Sequence, residues 1–343
     1  MSTKKRLIIG TELKRESFVP KQGVEDLIRG RFAPTPSGEL HIGNALAALL
    51  AWLQIREANG EFILRMENLD QPRSRPEYAR QILDDLRWLG IDWDEGPDVG
   101  GPYGPYNQSE RGYLYKKTMD RLKKQDRVYP CFCSRKELRG IASAPHGRQP
   151  IYPGICRGLT VEEQAAKRKV KDPSFRFKIP EESVSFNDGV HGELQFPSGY
   201  GGDFVVKRAD GIISYQLAVV ADDAAMKITH VLRGADLLES TPKQIFLYRA
   251  LGFAAPEFSH VPLIYGPDGK RLSKRHGSAI TLSAIRKAGT KPEWLIGRLV
   301  ALAGLINRPE PIKAAELIGE FQLSSVSGKP MRISDEWLSA CVT

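Results

Sequence analysis

A strand, a glycine-bearing loop, a helix and a second strand follow one another between Leu27 and Asp70, and no other feature constrains the fold of this chain more. LIRGRFAP reads as a short apolar strand ending at Pro34, and TPSGELHIGN is rich in turn formers. AALLAWLQIREAN is an apolar helical stretch with Gly60 as its expected C′ residue. EFILRMENLD is strand-like and ends in the charged and polar Glu67, Asn68 and Asp70. That order is a βαβ unit. Strands joined through a helix run parallel, so an α/β fold around a parallel sheet is expected.

The rest of the chain extends this plan. In EYARQILDDLRWLGIDWDEG, Ile82, Leu86 and Leu89 recur at helical spacing, and RGYLYKKTMDRLKKQ is a second amphipathic helix. Residues 131–200 are rich in Gly, Pro and Arg and read as an irregular insert with short strands. RADG at 208–211 reads as a hairpin turn between strand-like runs within DFVVKRADGIISYQLAVVADD. STPKQIFLYRALG has a Ser/Thr start and a Gly stop, as a helix should, and HVPLIYGPDGKRLSKRHGS runs from a strand into a basic loop. The expected division is a polar extension at 1–26, half of a catalytic domain at 27–130, the insert at 131–200, the other half at 201–285 and a helical region at 286–343.

Composition narrows the function classes. No run of about 18 apolar residues is present, and the N-terminus lacks an apolar signal core, so a cytoplasmic protein without a membrane partner is expected. A net charge of +9 and a pI near 9.3 suit a polyanionic partner, although a basic surface can also serve solubility alone. Four cysteines in 343 residues make no disulfide scaffold. Cys131, Cys133 and Cys156 cluster, which reads as a metal site, whereas Cys341 stands apart.

Two loops carry chemistry. Pro36-Ser37-Gly38-Glu39-Leu40-His41-Ile42-Gly43-Asn44 sits at a strand-to-helix junction, where free backbone N–H groups and the helix dipole favour an anion. A histidine there can hydrogen-bond phosphate oxygens. Lys270-Arg271-Leu272-Ser273-Lys274-Arg275 gathers cations and a hydroxyl that suit a departing pyrophosphate. Either loop alone could be an ordinary surface turn. Together they would meet at the carboxyl edge of one parallel sheet, where open α/β sheets bind nucleotides.

RFAPTPSGELHIGN resembles the HIGH region of class I aminoacyl-tRNA synthetases, and RLSKR resembles their KMSKS loop. The RFAP lead-in, ENLDQPR, ISYQLAVVADD and HVLRGADLL narrow the resemblance to the glutamyl group over about residues 29–277. Within it the pattern is most similar to the glutamyl-Q tRNA(Asp) synthetases, which resemble the catalytic half of a glutamyl-tRNA synthetase without its anticodon-binding domain. The stretch after Lys274 is too short for both a stem-contact region and such a domain. The resemblance implies a Rossmann-type sheet split by a zinc-bearing insert, with a small helical C-terminal region. It implies tRNA-independent activation of L-glutamate with Mg2+-ATP, and transfer to queuosine at the wobble position of tRNA(Asp). A monomer is expected.

The same resemblance assigns residues. His41 and Lys274 would be catalytic, stabilising the transition state. ATP would be held by His41, Gly43, Asn44, Arg271, Ser273 and Lys274, with Asn44, in place of the second HIGH histidine, a secondary contact. Glutamate would be bound by Arg31, Phe32, Ala33, Pro34, Thr35, Glu67, Tyr215 and Arg233: the arginines for its side-chain carboxylate, Glu67 for its ammonium, Tyr215 to shape the pocket. One structural zinc would take Cys131, Cys133, Tyr152 and Cys156, with His146 the rival fourth ligand because imidazole is the commoner donor. Two other readings stay open. Arg275-His276-Gly277 and KPEWLIGRLVALAGL are closer to ordinary glutamyl-tRNA synthetases, which charge the 3′ end of tRNA(Glu). A non-catalytic paralogue that binds tRNA or an amino acid is the remote third.

Overall fold

The opening βαβ unit forms as its residue pattern demands. β1 (Arg29–Phe32) pairs in parallel with β2 (Glu61–Leu64), and α1 (Ile42–Glu57) connects them. The protein is described from a computed structural model covering residues 27–134, 136–138, 151–272 and 281–341. α1 is apolar on nearly every side and its residues from Ile42 to Ile55 are almost all buried, so it lies inside the molecule. Gly60 does not end the helix through a left-handed conformation. Asn59 takes that role with φ of 52°, and Gly60 is required because a Cβ there would fall 2.4 Å from the Ile28 carbonyl oxygen.

The main sheet has six strands in the order β2-β1-β8-β9-β5-β6, with β5 (Val184–Asp188), β6 (Gly192–Phe196), β8 (His230–Gly234) and β9 (Glu257–Val261). All neighbours are parallel except the β5–β6 hairpin at one edge. Side chains alternate between two cores. Phe62, Leu64, Leu232 and Val261 pack with α1, while Ile63, Val231 and Phe258 pack on the opposite face. α2 (Pro76–Trp88) joins the first core. α3 (Gly112–Lys124), α5 (Tyr215–Ala225) and α6 (Thr241–Leu251) cover the second. The chain winds from β1 to β2 on one side and places β8 on the other, so a crevice opens beyond the carboxyl ends of β1 and β8.

The expected insert at 131–200 is drawn differently by the sheets. β3 (Val128–Cys131), β4 (Ser174–Phe177) and β7 (Phe204–Lys207) form a separate antiparallel sheet, with α4 (Val161–Arg168) in the intervening excursion. The β5–β6 hairpin, although inside 131–200, joins the main sheet through β9. RADG does turn the chain, but ISYQLAVV is no strand. Ile213 makes one bridge to Lys207, and α5 begins at Tyr215. Burial runs without a break from Leu217 to Asp223, so no polar face marks the helical period, and Val219 and Val220 bias the reading toward a strand. After α7 (Leu282–Lys287) and α8 (Pro292–Ala303) the tail forms short turns, a strand β11 (Met331–Arg332) parallel to β10 (Ile264–Tyr265), and α9 (Asp335–Ser339). Among the described residues no helix is long and apolar enough to cross a membrane.

Candidate active site

A cleft of about 470 Å³ lies over the carboxyl ends of β1, β8 and β9. One wall is the junction between β1 and α1. His41 is the N-cap of α1, and its Nδ1 accepts from the backbone N–H groups of Gly43 at 3.1 Å and Asn44 at 3.3 Å. With Nδ1 an acceptor, the proton of the neutral ring resides on Nε2, a donor suited to phosphate oxygens. Asn44 completes a reciprocal cap, its Oδ1 accepting from the His41 backbone N–H at 3.2 Å. An imidazole at position 44 would replace that short acceptor by a longer ring, so the asparagine has a structural use here. A Cβ on Gly43 would lie 3.1 Å from the His41 ring, so this glycine lets the ring cap the helix.

The start of the basic loop, up to Leu272, flanks the same wall. Arg271 and Leu272 line the cleft, and Arg271 donates to Asp236 at 2.8 Å. Thr281, after the loop, bridges His41, and the Leu282 N–H donates to the Leu40 carbonyl at 2.9 Å. Ser273 and Lys274 lie outside the described residues, as does His146.

The inner end of the cleft holds Arg31, Glu67, Tyr215 and Arg233, and Phe32, Ala33, Pro34 and Thr35 line the passage from it to His41. Arg31 is buried and donates through Nε to both carboxylate oxygens of Asp223 at 3.3 Å. Arg65, fully buried, donates to Asp223 at 2.6 Å and to Glu67 at 3.3 Å. Asp222 accepts from Gln108, Arg111 and Tyr115 at 2.6–2.9 Å. Burial opposes ionisation of all three carboxyls. It prevails at Glu67 and Asp222, whose pKa values rise, whereas Arg31 and Arg65 prevail at Asp223, whose pKa falls. Arg233 is held through Nε and Nη2, and its Nη1 is buried with no partner among the described residues. Two buried guanidiniums and one carboxylate therefore face a space continuous with a helix N-terminus. This set of charges suits an amino acid with a second carboxylate beside a nucleotide.

Sequence reasoning gave no role to Arg65, Asp222 or Asp223. A signal was present: two consecutive aspartates inside the apolar run AVVADDAA must find buried partners.

The cysteines form a second cluster away from the cleft. The sulfurs of Cys131, Cys133 and Cys156 lie within 4.8 Å of one another, and Cys133 and Cys156 are 3.7 Å apart. The Tyr152 hydroxyl lies 3.4 Å from Cys131 Sγ and 3.8 Å from Cys133 Sγ, and accepts from the Cys156 N–H at 2.8 Å. Burial, followed by the neighbouring Cys131, pushes the Cys133 thiol up to about 12. Three crowded thiols cannot all ionise without a cation among them, so the donor set fits a thiophilic metal and has an oxygen in place for a fourth ligand.

Comparison with known proteins adds a further finding. A family model described as "tRNA synthetases class I (E and Q), catalytic domain" matches residues 27–339. A protein of Symbiobacterium thermophilum named glutamyl-Q tRNA(Asp) synthetase is 58% identical over 318 residues, covering 92% of this chain and 98% of the relative. Another of that name, from Nitratidesulfovibrio vulgaris, is 48% identical over 309 residues, covering 89% and 95%. The crystal structure of a glutamate-tRNA synthetase from Elizabethkingia anophelis superposes with a TM-score of 0.81 at 33% identity, over 92% of this chain and 70% of that one.

Proposed function

Since the chain belongs to the class I tRNA synthetase family for glutamate and glutamine, matched through its catalytic domain, we propose that it activates L-glutamate with Mg2+-ATP and transfers it to queuosine at the wobble position of tRNA(Asp). The observation that carries the first half is one cleft holding Arg31, Arg233, Glu67 and the N-cap His41. The acceptor rests on 58% identity along 98% of a relative bearing that name.

In the first step an oxygen of the glutamate α-carboxylate attacks the α-phosphorus of ATP in line, and the bond to pyrophosphate breaks. Glutamyl-adenylate results, without tRNA. Arg31 and Arg233 hold the distal carboxylate, Glu67 the ammonium, and Tyr215 bounds the pocket. The backbone from Phe32 to Thr35 leads the α-carboxylate toward the nucleotide. His41 Nε2 and Lys274 stabilise charge on the phosphates, with Arg271, Ser273, Gly43 and Asn44 about the ATP. The protein's share is positioning and charge neutralisation. In the second step a nucleoside hydroxyl attacks the carbonyl carbon and AMP leaves. Cys131, Cys133, Cys156 and Tyr152 would hold one zinc, which closes their part of the fold and takes no part in these steps. The small antiparallel sheet and cysteine cluster serve as the zinc-bearing insert, the region from about 286 contacts the RNA stem, and the enzyme works in the cytoplasm.

Incubation with labelled glutamate, ATP and tRNA, a wash at mildly alkaline pH and nuclease digestion test this. Label on queuosine of tRNA(Asp) is expected. Label on the terminal adenosine of tRNA(Glu) would instead identify a shortened glutamyl-tRNA synthetase. Absence of any adenylate would leave only a binding paralogue.

A further inference from the structure

Arg233 is gripped by a buried array that the reaction itself does not require. It sits on β8 directly opposite His260 on β9, and Asp188 ends the next strand, β5. Arg233 Nε donates to His260 Nε2 at 3.0 Å, and Nη2 donates to Thr241 Oγ1 at 2.8 Å. Since His260 Nε2 accepts, the ring proton resides on Nδ1, which donates to Asp188 Oδ2 at 2.6 Å. Asp188 Oδ1 is itself fixed by the N–H groups of Val190, His191 and His260 at 3.0–3.3 Å. His260, Asp188 and Thr241 are at most 2% exposed. The Phe258 ring stacks 14° from the plane of His260 and lies 5.2 Å from the Arg233 guanidinium, which keeps water from this side.

The geometry points to Asp188 and His260 as positioning residues that set the specificity of the amino-acid pocket. Asp188 selects the imidazole tautomer, the tautomer makes Nε2 an acceptor, and that acceptor fixes the rotation of Arg233. Nη1 is then the donor left for a ligand, because Nε and Nη2 are already engaged. An incoming side-chain carboxylate satisfies it, whereas an apolar side chain would leave a buried cation unpaired. Burial, and then the adjoining guanidinium, lower the pKa of His260 against the pull of Asp188, which favours the neutral ring this arrangement needs. A protonated His260 would point a second N–H at Arg233 Nε. This inference rests on the reading of Arg233 as a glutamate ligand.

Glutamate-dependent ATP–pyrophosphate exchange tests it. His260→Phe keeps the aromatic packing and removes the acceptor; its KM for glutamate should rise about tenfold to a hundredfold, while kcat and the KM for ATP stay within about threefold. Asp188→Asn keeps an oxygen for the turn but offers an amide N–H to Nδ1, which drives the ring proton onto Nε2; it should act in the same direction. The double variant should be no worse than the worse single one, since both act through the same ring nitrogen, His260 Nε2, which lies 3.0 Å from both Arg233 Nε and Thr241 Oγ1. His260→Gln, whose side-chain oxygen can accept from Nε, should restore most of the affinity. In 15N-histidine spectra of the unaltered protein, the signal lost in His260→Gln should be that of a neutral ring protonated at Nδ1. A glutamate KM within about twofold in folded His260→Gln and His260→Phe alike, a parallel rise in the KM for ATP, or an Nε2-protonated or charged ring would each overturn the assignment. Failure of the underlying reading would look different: the unaltered protein would show no glutamate-dependent exchange.

Discussion

Replacing Asp223 by Asn should remove one charge from a buried group that is otherwise balanced. Arg31, Arg65 and Arg111 face Glu67, Asp222 and Asp223 at ion-pair distances, three cations against three carboxylates. Asn is nearly isosteric, so the change is electrostatic. Each guanidinium attraction of Asp223, at about 4 Å between charge centres and an effective dielectric near 20, is worth about 4 kcal/mol, or about 8 for both. Relief of the carboxylate's own burial returns several kcal/mol, and the net cost falls in the range of about 3–5 kcal/mol typical of breaking a buried pair. For a chain of this size that is a fall in Tm of about 4–7 °C near pH 7. The glutamate KM should rise too, because Arg31 loses the carboxylate that orients its Nε. The folded pKa of Asp223 is depressed, so its contribution is complete above the unfolded carboxylate pKa and fades as pH falls through the lower folded one. The gap in Tm between the two proteins should therefore narrow only in strong acid, below about pH 4. Thermal unfolding by circular dichroism and pyrophosphate exchange measure both effects. Adding Arg65→Met restores the charge count and should recover part of the loss in Tm. A Tm within about 2 °C of wild type and an unchanged KM in the single variant would refute the reasoning, as would a double variant less stable than the single one.

Three further outcomes are expected. Tyr152→Phe should lower zinc affinity at least about tenfold in chelator competition, and His146→Ala should not; full zinc retention in the first would remove Tyr152 from the ligand set. Asp85 is buried with Oδ2 lacking a hydrogen-bond partner among the described residues, and burial raises its pKa to about 6. A raised carboxyl pKa destabilises the folded state as pH climbs from the unfolded value through the folded one, so Asp85→Asn should raise Tm at pH 8, with the gain gone by about pH 4. Lys274→Ala should cut glutamate-dependent exchange about a hundredfold or more with an unchanged circular dichroism spectrum; near-normal exchange would end its catalytic assignment.

Local chemistry was legible in the residues, and chain-distant pairing was not. His41 and Gly43 announce themselves because a strand-to-helix junction presents the same N–H groups in any protein that builds one. The cysteine cluster was equally plain, since Cys131 and Cys133 share a strand end and Cys156 follows within one excursion. The helix beginning at Tyr215 is buried on every side from Leu217 to Asp223, so its period carries no polar face and its residues read as a strand. Composition carries no record of which sheet a short strand joins, so the membership of the β5–β6 hairpin in the main sheet is visible only in the structure.

From its own residues the chain determined the βαβ start, the strand-to-helix junction capped by His41 and the thiol cluster, all of which depend on groups close together along the backbone. Tertiary structure alone decided that Arg31 meets Asp223 across 192 positions and that His260 stands between Asp188 and Arg233, 72 and 27 positions away. The second set follows from the strand order β8-β9-β5 and the first from the packing of α5 on one face of the sheet, and no local pattern relates either set. The physical reason is burial: a charge removed from water must be met by whatever partner the sheet brings within reach, and that partner is a property of the fold.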